Sequence, residues 1–331
     1  MDYTTLKALK LSEYSDAADG FRAVSDMAGA AKDRIDMQII VAVKKANEGE
    51  AADAADGQLR ELAKDFHYTQ VECGLVSTAL DGFVYDLEAA RKKLDAVVEA
   101  AHARKFTVNS DGSVSYPAAG EETDGKLPEA GTVASLAEDP TADAIGRYAA
   151  GIDPNPNARY ALEYADRIAD AVKEATEADE KWAPKLRALK ADDDLTVSDR
   201  DWADAQKDTA GVLKGAEDYL HSIKEPPKHG TPKENAEWWK SLTDEQRADY
   251  TTLRPDSIGW MDGLPATVRD EANRTVLAET RGAARVELDA WIAKEPDRFT
   301  TMHQLNPNTG GEVDVEVRDP EGETKWKAWE A

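Results

Sequence analysis

Any chemistry this chain performs must come from five histidines, one cysteine and a dense population of carboxylates. His67, His102, His221, His229 and His303 lie far apart and share no spacing that would gather imidazoles around a metal. Each reads as a surface or helix-face residue. A serine nucleophile needs the strained strand-to-helix turn of a G-x-S-x-G elbow, which is absent. So are H-E-x-x-H, paired cysteine ligands, a Walker loop and a dinucleotide fingerprint. Asp192, Asp193 and Asp194 form an acidic loop lacking the glycine and terminal glutamate of a calcium loop, and read as a solvated turn. Cys73 has no partner for an intrachain disulfide and reads as a small apolar residue on a helix face. The carboxylates read as the solvated face of acidic helices. The expectation is a chain with no catalytic residue, no metal site and no cofactor.

Composition agrees with that direction. The formal charge is −25, from 66 acidic and 41 basic residues in 331. Such a balance excludes a nucleic-acid partner and an anionic membrane surface, both of which need clustered Lys and Arg. A protein partner is expected. No apolar run is long enough for a membrane span, and none follows Met1, Asp2 and Tyr3 as a Sec-type signal would.

The elements that must position these side chains are helices. Over residues 51 to 104, Leu59, Leu62, Phe66, Thr69, Cys73, Val76, Leu80, Phe83, Leu87, Ala90, Leu94, Val97 and Ala101 recur in steps of three and four. That period of about 3.5 residues keeps one apolar seam facing a partner along a helix of roughly 80 Å. Upstream, Phe21, Val24, Ala28, Ala31, Ile35, Ile39 and Ala42 mark a first amphipathic helix from about Ser12 to Ala46. Asn47, Glu48 and Gly49 break the pattern, so the two helices form an antiparallel hairpin.

After Arg104, Phe106 to Val108 and Val114 to Tyr116 flank an Asp111-Gly112 turn, a β-hairpin signal. Residues 117 to 140, rich in Pro, Gly and acidic types, read as a mobile connection. A third long helix begins near Asn157, with Tyr160, Tyr164, Ile168, Ala171, Val172, Ala175, Trp182, Leu186 and Leu189 on one face and Pro184 as a kink or restart. It can cover the second half of the seam. Ser198 with Asp201 opens another helix that runs to about Ile223, and Thr243 with Gln246 makes a further capping box. A last long helix starts at Pro265, followed by a strand-like Val313, Val315, Val317 alternation and a tail with Trp326 and Trp329. The reading is all-α: an elongated antiparallel helical hairpin or bundle with a small β-hairpin over residues 1–225, a Pro-rich linker at 226–237, and a smaller Trp-rich helical subdomain at 238–331 ending in a short strand.

One segment carries a family likeness. Trp238, Trp239 and Arg247 are followed by Gly259, Asp262, Gly263, Leu264, Pro265, Arg269, Asp270, Asn273 and Arg274 in order. Residues 226 to 276 resemble the stretch leading into the catalytic domain of actinobacterial α/β-hydrolases first defined as a domain of unknown function. The helical hairpin upstream is similar to the N-terminal region such proteins share with Trp-x-Gly type VII secretion substrates. In those substrates the turn reads Trp-x-Gly, whereas Asn47, Glu48 and Gly49 stand here. Tyr68 with Glu72 fits their Tyr-x-x-x-Asp/Glu signal.

The resemblance implies a non-catalytic targeting and delivery module of a type VII secreted effector, cytoplasmic before export and leaving without a cleaved signal peptide. Its partner would be a small helical-hairpin secretion protein or a secretion ATPase. The Asp262 to Pro265 turn would dock against a hydrolase domain. Two alternatives stand beside this reading. One is a lipase- or esterase-like hydrolase whose catalytic domain lies beyond residue 331, and the other is a scaffold that forms a homodimer through the 51 to 104 seam.

Overall fold

The computed structural model describes residues 1–136, 139–189, 196–305 and 312–330. The acidic loop at Asp192 to Asp194 lies outside them. The fold is mostly α, and the described residues fall into two compact units. The larger holds 1–196 and 207–275, and the smaller holds 197–206 and 276–331.

The larger unit opens with α1 (Tyr3–Ala8), capped by Asp2, and α2 (Leu11–Arg34). A π-helical turn at Ile35–Ile39 joins α2 to α3 (Ile40–Ala46). The two-way reversal at Asn47 and Gly49 follows, with Gly49 at φ +92°, a conformation glycine adopts without strain. Then α4 (Glu50–Ala103) runs unbroken for 54 residues, about 80 Å at roughly 1.5 Å per residue. The expected hairpin, the long helix and its limits are therefore present.

Both neighbours of α4 run antiparallel to it. On α2, Ser25 Oγ donates to Gln70 O at 2.7 Å, Ser77 Oγ donates to Ala18 O at 2.9 Å, and Tyr14 meets Phe83 edge to face. The other neighbour is α6, which follows a three-stranded sheet and α5. In the sheet, β1 (Thr107–Val108) pairs with β2 (Val114–Tyr116), as the Asp111-Gly112 signal predicts, and β2 pairs with β3 (Gly131–Val133). The third strand lies in the stretch expected to be a mobile connection. Buried Asn155 ties that stretch down by donating to Pro117 O and Glu129 O, a tertiary contact invisible to composition. Next come α5 (Pro140–Ile152) and α6 (Asn157–Ala188), which continues through Pro184 rather than stopping there. Trp182 of α6 lies over Gly82 of α4, where a Cβ would sit 2.5 Å from the indole, and donates from Nε1 to Asp86 at 2.7 Å. Glycine in mid-helix is needed at that crossing.

Which faces are buried differs from the apolar pattern. From Leu80 to Ala101 the seam of α4 is buried as its period predicts. Nearer its start, Leu62 and Thr69 are exposed while Ala63, His67, Glu72, Leu75 and Thr78 are buried. On α2 the inward face is Ala18, Arg22, Ser25, Gly29 and Lys32, and Phe21 and Val24 stay exposed. Small residues allow a close approach there, Gly29 lying against Gln70, and hydrogen bonds replace apolar contact. The π-turn adds a residue to one helical turn and rotates the face that follows, so Ile40 is buried and Ile39 is not.

Helix α7 (Asp199–Gly215) starts on the Ser198 and Asp201 cap, and α8 (Glu217–Ser222) follows a break at Ala216. Then α9 (Pro232–Ser241) and α10 (Asp244–Leu253) each begin on a complete capping box, Thr231 with Glu234 and Thr243 with Gln246. Helices α11 (Pro255–Trp260) and α12 (Ala266–Ile292) complete the larger unit's share. The expected linker at 226–237 is not a domain boundary. Trp238, Trp239, Leu242, Tyr250, Leu253 and Ile258 belong to the same apolar core as Leu75 and Ala79, so the chain divides near residue 275 instead.

In the smaller unit the first turns of α7 cross the later part of α12 at Gly282, where a Cβ would meet Asp199 O at 2.5 Å. The expected lone strand is one half of a hairpin, β4 (Phe299–Leu305) paired antiparallel with β5 (Glu312–Arg318). Helix α13 (Pro320–Glu330) closes the unit.

Candidate functional site

The residues of the Trp238 to Arg274 segment are brought together, and they are wired to one another. Trp238 is buried, donates from Nε1 to Lys224 O at 2.7 Å and meets Tyr250 edge to face at 5.1 Å. Trp239 packs beside it, and its carbonyl accepts from Arg247 Nε at 2.9 Å while Arg247 also grips Asp244. The Gly259 carbonyl accepts from Asn273 and Arg269, and Arg269 pairs with Asp262 at 2.9 Å. Gly263, at φ +98°, touches the Pro232 carbonyl so closely that a Cβ would sit 1.9 Å from it. Pro265 stands just before α12, and its carbonyl accepts from the Arg269 amide. Asp270 pairs with Arg274, which reaches Asp36 at 3.1 Å. These contacts hold the α11–α12 turn onto α9 and bring the first turns of α12 against the hairpin.

The remaining sequence candidates do not gather at one place. Asn47 and Gly49 sit at the hairpin tip, where Asn47 donates from Nδ2 to Val43 O at 3.2 Å. Tyr68 and Glu72 lie about five turns along α4, one helical turn apart. Glu72 is buried and Tyr68 half-buried.

Two buried ionic groups, unforeseen from the sequence, clamp the Trp238 segment to the hairpin. Asp249 of α10 is fully buried, its oxygens accepting from Thr78 Oγ1 at 3.0 Å and from the Tyr219 hydroxyl. Arg22 of α2 pairs with Asp81 of α4 and with Asp19 at 2.6 Å. Burial is the main cause pushing the Asp81 carboxyl up to about 7, aided by Asp249, Glu245 and Asp19 and opposed by Arg22. Burial likewise raises Asp249, against the hydrogen bonds from Tyr219 and Thr78. A cavity of about 380 Å³ opens beside this cluster, lined among others by Arg22, Gln70, Thr78, Arg247 and Asp249.

The second group surrounds His67, which is buried rather than on a surface face as expected. Its Nε2 lies 3.1 Å from Thr275 Oγ1, and burial, with Lys32 and Arg274 nearby, lowers its pKa to about 3. Lys32, also buried, pairs with Glu271 at 3.1 Å. A sequence signal existed for one partner only: Gly29 and Lys32 interrupt the apolar face of α2 at helical spacing. Nothing local marks Asp249, which sits in a polar run like any solvated carboxylate.

The outer face of the hairpin is open. Ala17, Gly20, Phe21, Val24 and Met27 share one side of α2 and all are exposed, Met27 at 65%. Met37 within the π-turn and Val41 beyond it are exposed as well. Among the described residues no group of three or more His, Cys, Asp or Glu is placed to hold a metal ion, and no helix is long and apolar enough to cross a membrane.

No family model and no solved structure matches the chain. Two curated Mycobacterium tuberculosis proteins are similar to it over 61 residues at 41% identity: "Uncharacterized protein MT2140" of strain CDC 1551 / Oshkosh and "Uncharacterized protein Rv2079" of strain ATCC 25618 / H37Rv. The matched stretch is 18% of this chain and spans 9% of either relative's length.

Proposed function

We propose that the chain is a non-catalytic targeting and protein-interaction module of a type VII secreted effector, cytoplasmic until export. The observation that carries this reading is the open apolar side of α2. A helix that buries polar residues against its own hairpin and leaves Phe21, Val24 and Met27 in water is suited to receive another helix. Exposed Ala17 and Gly20 on that side let a partner backbone come close. Asp16 borders the stripe and the chain carries a formal charge of −25, which favours a partner with basic edges and disfavours a second copy of this chain. The wired Asp262 to Pro265 turn has the rigidity a docking element needs, and its role toward a hydrolase domain belongs to the same proposal.

The test is export of the full chain from a type VII-competent actinobacterial host. Val24→Glu and Met27→Glu are expected to abolish export and co-purification of a small helical partner while leaving the melting temperature nearly unchanged. Export of both variants at the wild-type level would refute the reading. A wild-type homodimer in light scattering that both variants break would favour the scaffold alternative.

A further inference from the structure

We propose that the outer edge of β5, in the smaller unit, docks an extended segment of a partner protein in which lysine or arginine alternates with apolar residues. The segment adds to the β4–β5 pair as a third strand.

The pair is an unfinished sheet. Among the described residues, β4 and β5 bond only to each other. Two strands alone bury little, and a third strand or a packed helix is what makes such a unit firm. Here Phe299 on one face is 50% exposed, and Met302 and Val315, paired on the other, are 49% and 37% exposed. Helix α13 packs instead at the start of β4, where the Arg298 guanidinium lies over Trp326.

The free backbone and the charge belong to the same residues. The Asp319 amide donates to Arg298 O at 3.0 Å, which marks that pair as a hydrogen-bonded one. The alternation of an antiparallel ladder then turns the N–H and C=O of Glu312, Asp314 and Glu316 away from β4. With a period of two, their carboxylates also stand on one face. Across on β4, His303 bonds Asp314 and Thr301 faces Glu316, and among the described residues Glu312 and Glu316 have no ion-pair partner. A strand laid on this edge sets its side chains about 5 Å from the three carboxylates, where opposite charge stabilises and like charge destabilises. A second copy paired antiparallel through β5 is disfavoured, because outward-turned residues must bond outward-turned residues and carboxylate would face carboxylate. A segment with a cation at every second position meets all three, and its intervening apolar residues extend the face of Met302 and Val315.

The test is NMR of the full chain with three synthetic heptapeptides: one alternating lysine and valine, one with the same residues in two blocks, and one alternating glutamate and valine. The alternating basic peptide is expected to bind with a Kd of about 0.1 mM at low salt and more weakly as salt rises. It should also slow exchange of the Asp314 and Glu316 amides. The blocked peptide, equal in charge but wrong in spacing, should bind about tenfold more weakly, and the acidic one should not bind. Glu312→Lys combined with Glu316→Lys should weaken the basic peptide about tenfold or more and create binding of the acidic one. Glu99→Lys, at an exposed position of α4, should change neither. The proposal is overturned if the alternating basic peptide leaves the β5 amides unprotected at about 1 mM, roughly tenfold above such a Kd. The carboxylate row would then serve only to guard the edge. Equal binding of the blocked peptide, or protection of the Thr301 and His303 amides on β4 instead, would overturn it too. Protection that grows with protein concentration and no peptide would give the edge to a second copy, against the proposal. Because amide protection is read on the wild-type protein, a variant that fails to fold does not rescue the idea.

Discussion

The two buried ionic groups on α4 titrate with opposite signs, and separating them tests the packing of the larger unit. Asp81 rises from 3.8 to about 7 on folding, so the folded state holds its proton more tightly. Stability from that group is full below pH 4 and is lost as pH rises toward 7. Between pH 5 and pH 8 the loss comes to about 2 to 3 kcal/mol by proton linkage. Asp249, raised as well, adds a loss of the same sign. His67 falls from 6.5 to about 3, so the folded state holds its proton less tightly and stability is lost as pH falls below 6.5. From pH 5 to pH 8 that group returns about 2 kcal/mol. The Asp81 and His67 contributions oppose one another, and Asp249 tips the wild-type balance toward a loss of stability as pH rises. Relative to wild type, Asp81→Asn should therefore remove about 2 to 3 kcal/mol of the loss between pH 5 and pH 8, and His67→Gln should deepen that loss by about 2 kcal/mol. The groups are 14 positions apart on one helix, roughly 20 Å, so the double variant should follow the sum. Urea unfolding at four pH values measures this. Single-variant profiles parallel to wild type would show that neither side chain is desolvated as described.

Other perturbations follow from the same contacts. Arg22→Met leaves Asp81 without its cation and should cost about 3 to 5 kcal/mol at pH 8, read by chemical denaturation, with a smaller cost at pH 5 where Asp81 is protonated. Gly263→Ala forces a side chain into a positive-φ position 1.9 Å from the Pro232 carbonyl, and should lower the melting temperature by several degrees, a loss of about 2 kcal/mol or more. Gly82→Ala should do the same through the Trp182 indole, and pairing it with Trp182→Phe should recover part of the loss in a double-mutant cycle. Trp238→Phe removes the bond to Lys224 O and should cost about 1 to 3 kcal/mol by the same measurement.

The sequence by itself determined the mostly helical fold, the two arms of the hairpin and their turn, the third long helix on the second half of α4, and the β-hairpin at Asp111-Gly112. It also placed the caps at Ser198 and Thr243. Each of these is set by local spacing: apolar periodicity fixes a helix, a capping box fixes its start, and Asp-Gly fixes a tight turn. Gly259, Asp262, Arg269 and Asn273, singled out in order in the sequence, meet at the α11–α12 turn because they lie close in the chain. Only the tertiary structure decided which side of α2 faces inward, because Ser25, Arg22 and Lys32 are buried by hydrogen bonds and ion pairs whose partners lie some 45 to 240 residues away. It alone decided that the stretch around β3 is a strand, since β2 and Asn155 hold it from elsewhere in the chain, and that β5 has a partner strand in β4. The ionic clamps at Asp249 and His67 belong to the same class. A charged side chain looks alike in sequence whether it meets water or a buried guanidinium, and desolvation, which distinguishes them, exists only once the helices have packed.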